Sequence, residues 1–310
     1  MNFLSVVEQV FVLGIVMLLG FIICKTGYVE AKAKDSISKL IVNLILPCLI
    51  ISSVSKQEFK SEMLGEIFLV IVMSVFCIGT LFFIGVFTAK LLNIPHATQS
   101  VHKLLMSLGN VIFIGFPIIT SVYGEEGFFY AIVYWMINDL TLWTIGVLMF
   151  SQDKSENSYS IKKLANPNTI SFLIATIMFI FGIKLPPVIH RAAEEVGALT
   201  THLSMIFIGM ALAAVNIKAA MKKWWIFLVA PIKLVIMPVV FIFIFKSFGI
   251  KEVVLGTIVL EAAMPAQTVL TILANEHKAD YEYAAVGMFI TTVLSLVTLP
   301  FVCYCLKVLV

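Results

Sequence analysis

The chain has 310 residues, 61% of them hydrophobic and 13% charged, with a mean hydropathy of +1.06. Soluble domains carry about 25% charged residues, so this composition excludes an ordinary water-soluble globule and calls for lipid as solvent. A net charge of +3 is too small to argue for nucleic acid as a partner.

Apolar runs of about 20 residues, long enough to cross ~30 Å of hydrocarbon, recur along the whole sequence. The predicted spans are Val6–Ile23, Ile37–Val54, Leu64–Leu91, Val101–Tyr123 and Phe128–Phe150, then Pro167–Ile183, Ile189–Val215, Trp224–Phe248, Val253–Asn275 and Tyr283–Val308. The first run lacks a basic leader and a small-residue cleavage site, so it reads as a retained helix rather than a signal peptide. Cys24, Cys48, Cys77, Cys303 and Cys305 sit in or beside apolar runs without metal-ligand spacing, and are expected to pack as small hydrophobes.

The longest polar stretch, Ser151–Ala165, falls mid-chain and reads as a solvated linker. Lys32, Lys34, Lys90, Lys162, Lys163 and Lys222 fall on one side of the predicted topology, and Lys56, Lys60, Lys184, Arg191, Lys246 and Lys251 on the other. The first side is the richer when all Lys and Arg are placed, so it is predicted to be cytoplasmic, with both termini extracytoplasmic and the linker inside. Five spans on each side of the linker make the second half start from the opposite face. The prediction is an all-α integral membrane protein of ten transmembrane helices in two inverted five-helix repeats, with broken crossing helices four and nine. The repeats are 1–150 and 166–310, joined by 151–165, an arrangement characteristic of secondary transporters.

The breaks are read from Pro117 in span four and Pro265 in span nine, at corresponding places in the two halves. Proline removes a backbone donor and clashes with the preceding turn, yet suits the first turn of a new helix. Both prolines are therefore expected to start second half-helices whose amino ends meet near mid-membrane. Free amides and partial positive charge there suit a carboxylate; the plainer alternative is two kinks in packed helices. Polar residues flank the breaks: Ser107, Gly109 and Asn110 in span four, Gln267 and Thr268 in span nine. Asn110 and Gln267 are the substrate-binding candidates, since an amide both donates and accepts.

Asp139, Glu261 and Lys233 lie deep in apolar runs. Such charges cost ~2.5–3.5 kcal/mol even on lenient scales and are functional candidates. Asp139 and Glu261 are candidates for handling a coupled proton. Lys233 is expected to line the cavity, to pair with Asp139, or to snorkel. His102, His202 and His277 are expected to be packed or solvated.

The order and spacing of Gly20…Lys25-x-Gly27, ISKLIVNLILPCLI, GNVIFIGFPI, NPNTISFLI, FIGMALA and EAAMPAQTVLTILA resemble bacterial members of the auxin efflux carrier family, within the bile acid/sodium symporter-like superfamily. The resemblance covers nearly the whole chain. It implies a crossover of helices four and nine, elevator-like motion of a transport domain against a scaffold, and a small organic anion as substrate: auxin in plant members, malonate or malate in some bacterial ones. It puts Asn110, Gly115, Pro117, Pro265 and Gln267 at the crossover, with Asn43 and Pro47 of span two and Asn166 and Asn168 of the NPNT motif bordering it. No cofactor is implied; H+ and Na+ are candidate coupling ions, the plasma membrane is the expected location, and a homodimer is a candidate assembly. The alternative is a non-transporting receptor for a small organic anion on the same fold. Metalloprotease and serine-hydrolase motifs are absent from the sequence, which argues against an enzyme.

Overall fold

A computed structural model describes residues 3–30, 33–56, 61–151, 167–213 and 224–310. The predicted linker, apart from Ser151, and Asn166 lie outside the described residues. All regular structure among the described residues is helical. The helices are α1 (Phe3–Lys25), α2 (Ala33–Leu40), α3 (Leu46–Lys56), α4 (Ser61–Leu91), α5 (His96–Ser107), α6 (Phe116–Thr141) and α7 (Val147–Ser151). They continue with α8 (Pro167–Phe181), α9 (Pro187–Ala213), α10 (Ile226–Pro231), α11 (Met237–Lys246), α12 (Glu252–Ala262), α13 (Val269–Glu276) and α14 (Tyr281–Leu309).

Among the described residues each predicted apolar run is mainly helical, and the fourth and ninth are interrupted. Among the described residues six helical stretches are long and apolar enough to cross a bilayer: Asp35–Ser53, Leu64–Leu91, Val111–Phe150, Pro187–Ala213, Ile226–Lys246 and Tyr281–Leu309. Phe11–Lys25 and Ile170–Phe181 are shorter apolar helices. Large apolar side chains such as Phe11, Phe83, Phe243 and Val297 point outward, as expected where the solvent is lipid. The stretch Val111–Phe150 has 40 residues, about twice a crossing length. It folds back at Gly124, whose φ of 63° and ψ of −154° belong to a region that essentially only glycine occupies.

Among the described residues four π-turns interrupt the ladders: Ile41–Ile45, Val111–Gly115, Leu142–Gly146 and Ile232–Ile236. Three of them end two residues before a proline, namely Pro47, Pro117 and Pro238. In each, the residue before the proline donates its N–H to the carbonyl five back: Leu46 to Ile41, Phe116 to Val111, Met237 to Ile232. The widened turn moves the carbonyl four residues before the proline out of the ring's way, so the rod continues where a strict α-helix would clash.

Two groups of helices emerge from the packing. In one, α1 lies along α9, and α3 packs against α8 and α9. Small residues allow these approaches: a Cβ on Gly209 would strike the Met17 carbonyl, one on Gly20 the Ile206 carbonyl, and one on Gly197 would lie 2.8 Å from Leu49 Cα. In the other, α4, α5, α6 and α10–α14 surround an interrupted crossing. The His102 ring ties α4, α5 and α14 together, at 2.8 Å from Thr88 Oγ1 and 2.7 Å from Tyr283 O–H. It is buried, the packed alternative of the two foreseen.

At one end of this second group, Lys251, the N-cap of α12, pairs with Glu126 and with Glu66 at 3.6 Å, and Tyr130 O–H donates to Glu66. The hydrogen bond that Lys251 donates to Glu126 holds the ammonium above the ordinary lysine pKa. A raised lysine pKa stabilises fully below the unfolded value and loses its effect only as pH rises through the folded one. The Lys251 contribution is therefore unchanged across the neutral range.

The glycine contacts predict opposite outcomes at two sites. Gly209→Val forces α1 from α9 and should lower stability by about 2–4 kcal/mol. A Cβ on Gly65, in α4, would have no neighbour within 4 Å, so Gly65→Ala should add about 0.5–1 kcal/mol. Thermal unfolding of the detergent-solubilised protein, followed by tryptophan fluorescence, measures both; a Gly209→Val protein melting with the wild type contradicts this packing.

Candidate functional site

The first interruption lies at Leu108–Asn110, between α5 and the π-turn that leads into α6. The second lies at Ala263–Thr268, between α12 and α13. The two unwound segments cross and pair. Gly109 and Ala266 form an antiparallel bridge, and Asn110 N–H donates to Pro265 O at 2.7 Å.

A helix that stops inside an apolar medium leaves amides and carbonyls without partners, and each unsatisfied group costs several kcal/mol. In an unbroken helix, Gly109 N–H and Asn110 N–H would serve Leu105 O and Met106 O. Here Gly109 N–H donates instead to Asn138 Oδ1 at 3.1 Å, and Asn110 N–H goes to Pro265. The released carbonyls are taken by Lys233, whose Nζ donates to Leu105 O at 3.1 Å, Met106 O at 3.2 Å and Leu108 O at 2.7 Å. On the other segment, Ala266 N–H donates to Thr291 Oγ1 at 3.0 Å.

Side chains complete the crossing. Asn138 Nδ2 donates to Gly109 O and to Gln267 Oε1, both at 3.4 Å. With its Oδ1 bond this makes the Asn138 amide a mimic of a neighbouring strand. Asn110 Nδ2 donates to Thr268 Oγ1 at 3.1 Å, joining the residues that precede the two resumed helices. Past Asn110, the first helical bonds are those of Ile114 and Gly115 N–H to Asn110 O, both 3.2 Å. The amides of Val111, Ile112 and Phe113 precede them and form the amino end of the half-helix. Asn110, Gln267 and Thr268 are 2%, 5% and 4% exposed and Asn138 is fully buried, so the crossing is covered in this conformation.

The structure brings only some of the sequence-selected residues together. Asn110, Pro265 and Gln267 meet at the crossing. Pro117 lies seven residues beyond the first break, so it does not start the half-helix; the π-turn already carries the helix from Asn110 onward. Pro265 likewise sits inside its break, with α13 resuming at Val269. Gly115 ends the π-turn and seats the Glu261 carboxyl: a Cβ there would strike Glu261 Oε2. Glu261 is fully buried, and neither of its oxygens has a hydrogen-bond partner. Thr257 Oγ1, one turn earlier on α12, is also buried without a partner.

Lys233 is fully buried and does not snorkel. Asp139 is partly exposed near the end of α6. Asn43 is exposed on the first π-turn, and Pro47 is part-buried just after it. Asn168 belongs to the first turn of α8, and its side chain lies outside the described residues. A cavity of about 260 Å3 lies between α3, α6 and α9. Pro117 and Thr120 line it, together with Ser52, Ser53, Thr200 and Gly197. Sequence reasoning did not select Asn138 or Thr291. Asn138 carried one signal, an amide in the middle of an apolar run; Thr291 carried none.

This geometry belongs to a polytopic membrane protein with a discontinuous pair of helices at its centre. A family model described as "Membrane transport protein" matches residues 5–303, and the chain belongs to that auxin efflux carrier-like membrane transport family. Full-length relatives agree. An uncharacterized transporter of Methanothermobacter thermautotrophicus is 26% identical over 310 residues, covering 97% of this chain and 98% of its own. An uncharacterized transporter of Methanocaldococcus jannaschii is 22% identical over 301 residues, covering 94% and 96%. The uncharacterized transporter YfdV of Escherichia coli is 22% identical over 300 residues, covering 92% and 93%. The chain is a transport protein and not an enzyme.

Asn138→Ala strands the Gly109 N–H in an apolar interior, and should cost about 1–3 kcal/mol. The thermal midpoint of the purified protein reports it. An unchanged midpoint would mean that Asn138 does not hold the crossing.

Proposed function

We propose that the chain is a secondary active transporter that moves a small organic anion, a monocarboxylate or dicarboxylate, across the plasma membrane by elevator-type alternating access. The observation that carries this reading is the crossing, where two half-helices resume beside each other through Asn110 and Thr268. Their amino ends give a fixed positive field with free amide donors, which a carboxylate complements. Asn110 and Gln267 add side-chain donors and acceptors. When substrate enters, the Asn110–Thr268 and Asn138–Gln267 bonds exchange for bonds to the anion.

The helix grouping supports ten spans in two inverted five-helix repeats. On the predicted numbering, spans one and two group with six and seven, and spans three to five group with eight to ten, so each group draws the same members from both halves. The first group would be the scaffold and the second the moving body. The 260 Å3 cavity lies where α3 and α9 of the first group face α6 of the second, so sliding there would open a route along Pro117 toward Asn110. Both termini would face outward, with the linker in the cytoplasm.

Glu261 is the candidate for the coupling ion. A buried carboxyl without a partner is stable only when its charge is removed or matched, so a proton or Na+ would be taken up there as the anion binds nearby.

Uptake of radiolabelled dicarboxylates and monocarboxylates into proteoliposomes tests the reading. Asn110→Ala and Gln267→Ala should each lower uptake at least about tenfold, the order expected for a lost hydrogen bond to a charged group, with expression preserved. Wild-type flux in both variants would remove this site. Binding without flux in the wild type would make the protein a receptor. Glu261→Gln should retain anion binding, measured by thermal shift, while uptake no longer follows an imposed pH or sodium gradient; gradient-driven uptake in that variant would exclude Glu261 as the coupling group.

A further inference from the structure

The Lys233 ammonium is surrounded as a small cation would be. Its three hydrogen bonds all go to main-chain carbonyls, at 2.7–3.2 Å, and no carboxylate among the described residues lies within ion-pair reach. The carbonyls belong to the last turn of α5 and the residue after it, where the helix dipole leaves partial negative charge. None of the three is offered to water, and Lys233 has no exposed surface. Carbonyl oxygens converging on one point are how proteins hold potassium ions in place of water, and an ammonium group is similar in size and charge.

We propose that Leu105 O, Met106 O and Leu108 O form a monovalent-cation site at the first break, and that Lys233 is its tethered occupant. The break then keeps its charge balance without drawing a dissolved cation to this place. Lys233 reaches it from the π-turn between Pro231 and Pro238. That widened turn sets the side chain across α5, so the span that supplies the charge is shaped for it. Lys233 is a positioning residue, which acts on a substrate only through the path of the Leu108–Asn110 segment. The inference stands on the break itself and holds whatever anion the protein carries.

Removing the side chain should expose the site to dissolved ions. Purified Lys233→Ala protein is melted in sodium, potassium, ammonium and N-methylglucamine chlorides at one ionic strength. At least one small cation should raise its midpoint by about 3 °C or more over N-methylglucamine, with saturation, while the wild type moves by less than half as much. Identical melting of the variant in all four salts overturns the proposal, as does an equal or larger rise in the wild type. If the alanine variant does not accumulate in membranes, Lys233→Arg and Lys233→Met decide. The arginine protein should accumulate to near wild-type level and the methionine protein should not. Equal accumulation of the two, at any level, or better accumulation of the methionine protein, overturns it.

Discussion

A broken helix in an apolar interior must find partners for the backbone groups it releases, and the crossing is the set of answers to that constraint. Gly109 N–H goes to Asn138, Asn110 N–H to Pro265 O, Ala266 N–H to Thr291, and the carbonyls of Leu105, Met106 and Leu108 to Lys233. Each partner comes from a different stretch of chain, so α5, α6, α10–α11, α12 and α14 are fastened at one point. Half-satisfied polar networks are worse than none in a low-dielectric interior. Beside it, the buried side-chain oxygens of Glu261 and Thr257 lack a partner among the described residues.

That contrast separates two kinds of polar group. The groups with partners define the path of the chain and hold the half-helix ends in register. The groups without partners are the ones able to respond, because an unpaired carboxyl gains most from meeting a proton or a cation. In the proposed cycle the fastened groups travel as a body, and the exchange of ion and anion is confined to Glu261 and to the side-chain bonds of Asn110 and Gln267. The π-turns before Pro47, Pro117 and Pro238 answer the same constraint in another way. They accommodate the proline ring within a continuing rod, whereas the crossing segments break the rod and satisfy the released groups elsewhere.

Much of this was legible in the sequence. The apolar runs lie on helices within a few residues, because a helix in lipid must be apolar over its crossing length. The existence of two interruptions was legible from Pro117 and Pro265. The second was placed correctly, since Pro265 lies inside its break; the first was not, since proline marks only where a ladder cannot be strictly α-helical. At Pro117 a π-turn solved that problem, and the chain broke seven residues earlier, at Leu108–Asn110. Asn110 and Gln267 were found because amides are rare in apolar runs beside a break. Asn138 and Thr291 escaped because their partners lie far off in sequence, on Gly109 and Ala266. The role of Lys233 was hidden for the same reason: sequence offers a carboxylate as the natural partner of a buried lysine, and the carbonyls freed by a break appear only in three dimensions.

The central claim is that an anion binds between the two half-helix amino ends. Anomalous diffraction from crystals grown with a brominated dicarboxylate locates the ligand directly. The account predicts a bromine peak at the crossing, with the carboxylate in hydrogen-bond reach of the Val111–Phe113 amides and the amides at the start of α13. A peak confined to the cavity lined by Ser52 and Thr200, with Asn110 still bonded to Thr268, would contradict it.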